Sequence, residues 1–240
     1  MPSFENRLDS PRLSAATFAE FARATEPRRK RIVLDAMDHS ALKRARYDAA
    51  ERGLQRAILA GGDLASRLRA EADTIRSTRA TTDWQQNNRD NSAAALHALA
   101  GLTSALKLQE LIVSPGPLNS AKIRIRGVLV SVRSQLILRR SHSSSDVGCM
   151  LLVFRKTGYI GRPELVVPSG AMLAELVRLS ADHHSSFGQR VDPALCIAVD
   201  VFGGQMFHAK KPTKRLTAEI DAVCDTVAMT WAHLRQAQAA

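Results

Sequence analysis

The sequence predicts an α+β protein in which a helical N-terminal part precedes a mixed β-sheet with flanking helices. Apolar residues recur at helical spacing up to about residue 112, whereas beyond Pro115-Gly116-Pro117 they alternate with polar residues or run continuously, as in strands. The chain has 240 residues, of which 45% are hydrophobic, so it can bury a sizeable core. We expect a basic helical part over residues 1–90 and an α/β sheet domain over residues 91–240.

Three helices are predicted in the first part from capping residues and helix breakers. Ser14 can cap a helix that ends before Pro27, and Ser40 can cap a second helix that ends at Gly61-Gly62. Asp63 can cap a third helix, whose leucines and isoleucine form one apolar stripe.

A polar stretch separates these helices from a fourth. Residues 81–92 read TTDWQQNNRDNS, which is typical of a linker or loop. Leucines and alanines at helical spacing follow, so we expect a helix over about 92–112, which Pro115-Gly116-Pro117 terminates.

The first strands are predicted just beyond these prolines. Residues 122–132 and 135–140 alternate between apolar and other side chains, and Gly127 marks a bulge where the alternation changes phase. Residues 149–154 are apolar throughout, which favours a central strand buried on both faces.

The C-terminal third contains two further helices and two strands. Ser169 can cap a helix, and the apolar residues 196–202 suit a buried strand. Gly203-Gly204 is a two-residue turn of hairpin type, so residues 205–209 should return antiparallel. The last helix should open at Thr217 and run to the C-terminal region.

The charge of the chain indicates its partners. The chain contains 34 Lys and Arg against 23 Asp and Glu, so its net charge is +11, which attracts polyanions. We expect a DNA or RNA partner. No apolar run approaches the length needed to span a bilayer, and the N-terminus lacks an apolar signal sequence, so we expect a cytoplasmic protein without a membrane partner.

One segment predicts a basic strand face. Residues 122–126 alternate strictly between cations and isoleucines, so the isoleucines should face the core and the cations should face outward, roughly 7 Å apart. The same pattern also fits an edge strand whose charges prevent aggregation. Together with two other basic clusters, this strand gives nine candidate phosphate-binding residues: Lys122, Arg124, Arg126, Arg139, Arg140, Lys210, Lys211, Lys214 and Arg215.

The predicted order of elements resembles a known nuclease family. The order helix, three strands, helix and strand over roughly residues 92–202 resembles the core of the restriction-endonuclease-like, or PD-(D/E)XK, family. That family holds Mg²⁺ with carboxylates on its second and third core strands and adds a lysine on the third. Here residues 134–138 contain no carboxylate, residues 149–154 contain neither carboxylate nor lysine, and only Glu110 occupies a plausible family position. The resemblance implies a degenerate, inactive copy that retains nucleic-acid binding.

Two alternatives to this accessory, non-catalytic role remain open. A shifted alignment with the family motif makes Asp200, His208 and Lys210 the catalytic residues of a metal-dependent nuclease, and only that reading requires Mg²⁺. Otherwise we expect no cofactor and no metal-binding residues. The long helices could instead present an interface to a protein partner in a larger complex.

Overall fold

The structure is a computed structural model that describes residues 10–37, 47–117, 119–141, 143–154, 163–184, 189–211 and 213–239. The helices within these ranges are α1 (Ala15–Arg23), α2 (Glu26–Met37), α3 (Asp48–Leu59), α4 (Leu64–Ser77), α5 (Asp83–Leu102), α6 (Pro163–His184) and α7 (Lys214–Ala239). None of these helices combines the length and the apolar character that crossing a bilayer requires.

Nine strands are described: β1 (Arg12–Ser14), β2 (Leu111–Pro115), β3 (Ala121–Ile125), β4 (Val128–Val132), β5 (Leu136–Arg140), β6 (Ser143–Val153), β7 (Arg190–Val191), β8 (Ile197–Asp200) and β9 (Gln205–His208). Mixed sheets flanked by helices confirm the predicted α+β class.

Two of the predicted helix caps are confirmed. The Ser14 hydroxyl accepts a hydrogen bond from the Thr17 amide at 3.2 Å at the start of α1. The Asp63 carboxylate accepts one from the Ser66 amide at 3.0 Å at the start of α4. The predicted cap Ser40 lies outside the described residues.

The linker predicted over residues 81–92 is wrong, because α5 begins at Asp83. The Thr82 hydroxyl accepts from the Gln85 amide at 3.2 Å and caps this helix, whose polar first turns are largely exposed to solvent. The helix ends at Leu102 rather than near residue 112, and β2 follows after a short 3₁₀ turn.

A three-stranded sheet is formed in the strand order β1-β4-β3. β1 pairs parallel with β4, and β3 pairs antiparallel with β4. Arg126 and Gly127 form a two-residue turn between β3 and β4, with φ angles of 44° and 82°. The bulge predicted at Gly127 is therefore wrong, and residues 122–132 form a hairpin rather than one strand.

A second, six-stranded sheet has the strand order β2-β5-β6-β8-β9, with β7 also paired to β6. β6 and β8 are parallel, and α6 lies between them in the chain. α6 begins at Pro163, so Ser169 lies within the helix rather than at its cap. The predicted hairpin between β8 and β9 is present. The relation to the PD-(D/E)XK family stays a prediction.

Two apolar cores lie on the two faces of the six-stranded sheet. On one face the sheet packs against α3, α4 and α5. On the other face it packs against α6, and this core continues through α1, α2 and α7 to the inward face of the three-stranded sheet. α5 runs without a break through residue 90, and the domain division proposed there stays a prediction.

Candidate nucleic-acid interface

The three-stranded sheet turns one face toward the core and one toward solvent. Ile123 on β3 and Val128 and Val130 on β4 are buried against the helices. Lys122 and Arg124 alternate with the buried residues of β3 and are exposed. The burial pattern of β3 is therefore consistent with the predicted orientation of its side chains. Ile123 faces the core, and Lys122 and Arg124 face outward.

The strand register arranges the solvent side of this sheet in two rows of residues. Arg12, Leu129 and Arg124 lie side by side across β1, β4 and β3, and Ser14, Ser131 and Lys122 form the next row. Neighbouring strands are about 4.8 Å apart, so the backbones of Arg12 and Arg124 are roughly 10 Å apart. We call these six residues the outer face.

Arg12 is a member of the outer face that the sequence did not reveal. It lies on a strand of three residues, which is too short to give a clear alternation. Its position beside Arg124 depends on a parallel pairing between β1 and β4, and the two strands are more than a hundred residues apart in the chain.

A cleft of about 270 Å³ borders the outer face along β3. It lies between β3, the C-terminal half of α6 and the first turns of α7, and its lining includes Ile123, Arg124, Ile125, Glu175, Arg178, Leu179, His183, Thr217, Ile220 and Asp221. Within it, Arg178 donates two hydrogen bonds to the buried Glu175, at 2.9 and 2.7 Å, and these raise the pKa of the guanidinium. The cleft is therefore lined by both acidic and basic groups.

Helix α7 and β3 border the same cleft. Arg126, at the tip of the hairpin, donates to Asp225 at 2.9 Å, and this hydrogen bond raises the pKa of the Arg126 guanidinium. Asp221 and Thr217, one and two turns closer to the start of α7, line the cleft with Arg124. The start of α7 therefore lies toward the Lys122 end of the strand.

A second predicted cluster lies at the start of α7. Lys214 lies one turn before Thr217, and Arg215 follows it. The Thr213 hydroxyl caps α7 by accepting from the Leu216 amide at 3.2 Å. The first turn of α7 contains no acid, and the predicted cations Lys210, Lys211, Lys214 and Arg215 are all exposed. Cations in this position repel one another and the helix dipole, which a bound anion would offset.

Two of the nine predicted residues lie elsewhere. Arg139 and Arg140 are on β5 of the six-stranded sheet, not on the outer face. Arg140 donates to Asp192 at 2.9 and 2.6 Å, so its charge is neutralised locally. The Nε atom of Arg139 is buried and has no hydrogen-bond partner among the described residues.

The three residues of the nuclease alternative are not brought together. Asp200 is paired with Gln205, whereas His208 is paired with Ile197 at the other end of the hairpin, roughly 10 Å away. Asp200 accepts from the Gly203 amide at 2.9 Å, and His208 Nδ1 lies 2.9 Å from the Ala194 carbonyl. Lys210 lies beyond β9 and is exposed. Among the described residues, no three His, Cys, Asp or Glu side chains are grouped to hold a metal ion.

A largely buried carboxyl on α3, that of Glu51, is a further titratable group that the sequence did not reveal. Glu51 accepts from the Gln135 amide nitrogen at 3.0 Å and pairs with Arg133. Burial is the main influence on this group and raises its pKa. The Gln135 side chain also accepts from the Leu152 amide at 2.8 Å, so the group ties α3 to β5 and β6. The arrangement indicates a structural role.

Comparisons with known proteins add no identification. No family model matches the chain, and no curated protein sequence matches it. The geometry of the outer face and of α7 therefore carries the functional argument.

Proposed function

We propose that the protein is an accessory nucleic-acid-binding protein that contacts phosphates through its outer face and acts without catalysis of its own. The observation that carries this proposal is the pair Lys122 and Arg124. Both side chains are exposed on one sheet face, and no carboxylate among the described residues forms an ion pair with either. Within the described parts of the chain, Arg124 donates only to the nearby Gly127 carbonyl, at 3.1 Å, which leaves its charge available to an anion.

The surroundings of this pair favour binding over protection of the sheet edge. Protection requires charged side chains on the edge strand alone. Here the outer face also includes Arg12 on the opposite edge strand, so its cations are not confined to one strand. Several cations on one side of the molecule attract a phosphate backbone more strongly than each cation would separately.

The proposal predicts binding that depends on charge and little on sequence. Phosphate contacts position a protein on nucleic acid but do not read bases, and each contact makes the affinity more sensitive to salt. The outer face offers two serine hydroxyls and one leucine besides its cations, so it has few groups that could distinguish bases.

The test is a matched pair of double variants. Lys122→Gln with Arg124→Gln removes the outward charges of β3, whereas Arg67→Gln with Arg69→Gln removes two exposed charges from α4, on the other side of the six-stranded sheet. Each variant lowers the net charge of +11 by two. Affinity for DNA and RNA oligonucleotides is measured by fluorescence anisotropy at several salt concentrations.

We expect the β3 variant to bind at least tenfold more weakly, with the slope of log K against log salt reduced by about 1.8. The α4 variant should bind nearly as the parent does. Equal losses in the two variants would mean that only net charge matters, and unchanged affinity in a folded β3 variant would refute the assignment. Circular dichroism of both variants establishes that they are folded.

A further inference from the structure

Strand β3 lies at an edge of the three-stranded sheet. The strand order β1-β4-β3 gives it a hydrogen-bonded neighbour on one side, and no other described strand pairs with it. The two-residue turn joins Ile125 to Val128, so this pair is hydrogen-bonded, and bonded pairs alternate along the strand from there. The amide and carbonyl groups of Lys122 and Arg124 therefore point away from β4, toward the free side of β3.

The cleft next to β3 follows this free side. It is lined by the consecutive residues Ile123, Arg124 and Ile125. Successive side chains of a strand point to opposite faces, so a space that borders three consecutive residues lies along the edge of the strand rather than on one face. The volume of the cleft is about 270 Å³, whereas pockets that enclose a small ligand measure roughly 300–1,000 Å³. The cleft therefore suits a few side chains of a larger partner.

From this edge we infer that β3 binds an extended segment of another protein, which adds to the sheet as a further strand. This second activity does not depend on the proposed function. The free side of β3 offers both backbone donors and backbone acceptors, and an extended peptide offers the same groups in return. A phosphate backbone offers only acceptors, which form no hydrogen bond with the carbonyl groups of Lys122 and Arg124. The backbone edge therefore favours a peptide.

The outward side chains of β3 specify the charge of this segment. Lys122 and Arg124 are exposed, and neither forms an ion pair with a carboxylate in the described ranges. An added strand would lie about 4.8 Å from β3 and would place its own outward side chains beside these cations. Opposite charges stabilise such cross-strand pairs, whereas like charges destabilise them. The partner should therefore carry acidic residues at alternate positions, and pairing with β3 of a second copy is disfavoured.

The cleft specifies the residues between these acids. Their side chains would point to the inward side of the sheet, where Ile125, Leu179 and Ile220 line the cleft. Glu175 and Arg178 also line it, but they are bound to each other through two hydrogen bonds. Apolar side chains gain free energy when they are buried against the isoleucines and leucine. The partner is thus an extended segment in which acidic and apolar residues alternate.

The experiment uses a fluorescent peptide of about nine residues in which glutamate alternates with valine. Two derivatives carry N-methyl groups, one on the glutamate amides and the other on the valine amides, so each lacks the donors along one edge of the added strand. A third derivative has lysine in place of glutamate. The proteins are the parent chain, the variant Lys122→Gln with Arg124→Gln, and the control Arg67→Gln with Arg69→Gln, and affinity is measured by anisotropy.

We expect the parent to bind the glutamate peptide about tenfold or more tightly than the lysine peptide. One N-methylated derivative should lose about tenfold or more in affinity and the other about twofold or less, because only one edge of the added strand faces β3. The β3 variant should bind the glutamate peptide about fivefold or more weakly, and the α4 control nearly as the parent does. Equal effects of the two methylation patterns, or no binding of the glutamate peptide by the parent, would overturn the inference. Neither result bears on the nucleic-acid titrations, which test the proposed function separately.

Discussion

At the scale of single residues, Glu51 shows how burial and pairing compete. The carboxyl lies largely out of water, which disfavours its charged form, while Gln135 and Arg133 favour that form. Burial has the larger effect, and the pKa of Glu51 is raised. The folded protein therefore holds this proton more tightly than the unfolded chain does.

The sign of the resulting pH dependence follows from linkage. A carboxyl whose pKa is raised on folding contributes most to stability at low pH, and this contribution is lost as pH rises through the raised pKa. We expect Glu51→Gln to remove that loss, so that the free energy of unfolding changes less with pH above about 4.5 than in the parent. Urea unfolding of both proteins at several pH values measures this. An identical pH dependence in parent and variant would contradict the raised pKa.

The cysteines give a second prediction at this scale. Burial raises the pKa of Cys196 and of Cys224 to about 12, and it also raises the pKa of Cys149. The thiolate is the reactive form, so these thiols should react slowly with a disulfide reagent near pH 8 while the protein is folded. Titration with such a reagent should detect three thiols only after denaturation. Rapid reaction of all three thiols in the folded protein would show that they are accessible.

At the scale of elements, close packing depends on particular glycines. Gly148 on β6 faces the short 3₁₀ turn at residues 193–195, and a Cβ atom at position 148 would lie 2.4 Å from the Leu195 carbonyl carbon. The backbone atoms of Leu195 cannot move aside as the end of a flexible side chain can. The added Cβ atom would therefore force β6 and this turn apart.

We therefore expect Gly148→Ala to destabilise the protein by about 2–4 kcal/mol. Gly101, near the end of α5, is the matched control because a Cβ there would meet nothing within 4 Å. Gly101→Ala should be neutral or stabilise the helix by up to about 1 kcal/mol. Chemical unfolding of the two variants gives both values, and equal effects would be inconsistent with this packing.

The elements also show where sequence patterns were sufficient. Ser14 and Asp63 cap helices as predicted, because a cap is a local hydrogen bond between neighbours in the chain. At Arg126-Gly127 the sequence pattern predicts a bulge where the structure has a hairpin turn, because both features shift the phase of the inward residues by one. The first turns of α5 have the composition of a linker because their exposed positions carry polar residues.

At the scale of the whole molecule, the candidate interface depends on contacts distant in the chain. The outward direction of Lys122 and Arg124 could be predicted from alternation alone. The presence of Arg12 beside them could not, because it depends on the pairing of β1 with β4. Charge clusters in the sequence therefore identified the residues but not their arrangement, and Arg139 and Arg140 fall on the other sheet.

Binding should respond to charge at the edge of the interface. Asp225 accepts the hydrogen bond from Arg126 and so neutralises a cation at the hairpin tip, next to Lys122 and Arg124 on β3. We expect Asp225→Asn to strengthen nucleic-acid binding several-fold at low salt and to steepen the salt slope by about 0.9, because Arg126 becomes available to a phosphate. The stability of the protein should change little, since both partners are largely exposed.

Anisotropy titrations of the parent and Asp225→Asn measure this effect. Asp90→Asn on α5 is the control, because it also removes one exposed negative charge but lies in the other helical layer. Equal gains in the two variants would show that total charge, rather than the position of Arg126, governs the affinity.

The parallel pairing of β1 with β4 has a consequence for biosynthesis. The ribosome adds roughly 5 to 20 residues per second, so Arg12 to Ser14 are made about 6 to 23 s before their partner residues on β4. Until then Leu13, which is buried in the finished sheet, has no strand to pair with. The surface proposed to meet nucleic acid is thus completed only after more than half of the polypeptide has been translated, and a nascent chain shorter than this should not be retained on immobilised DNA.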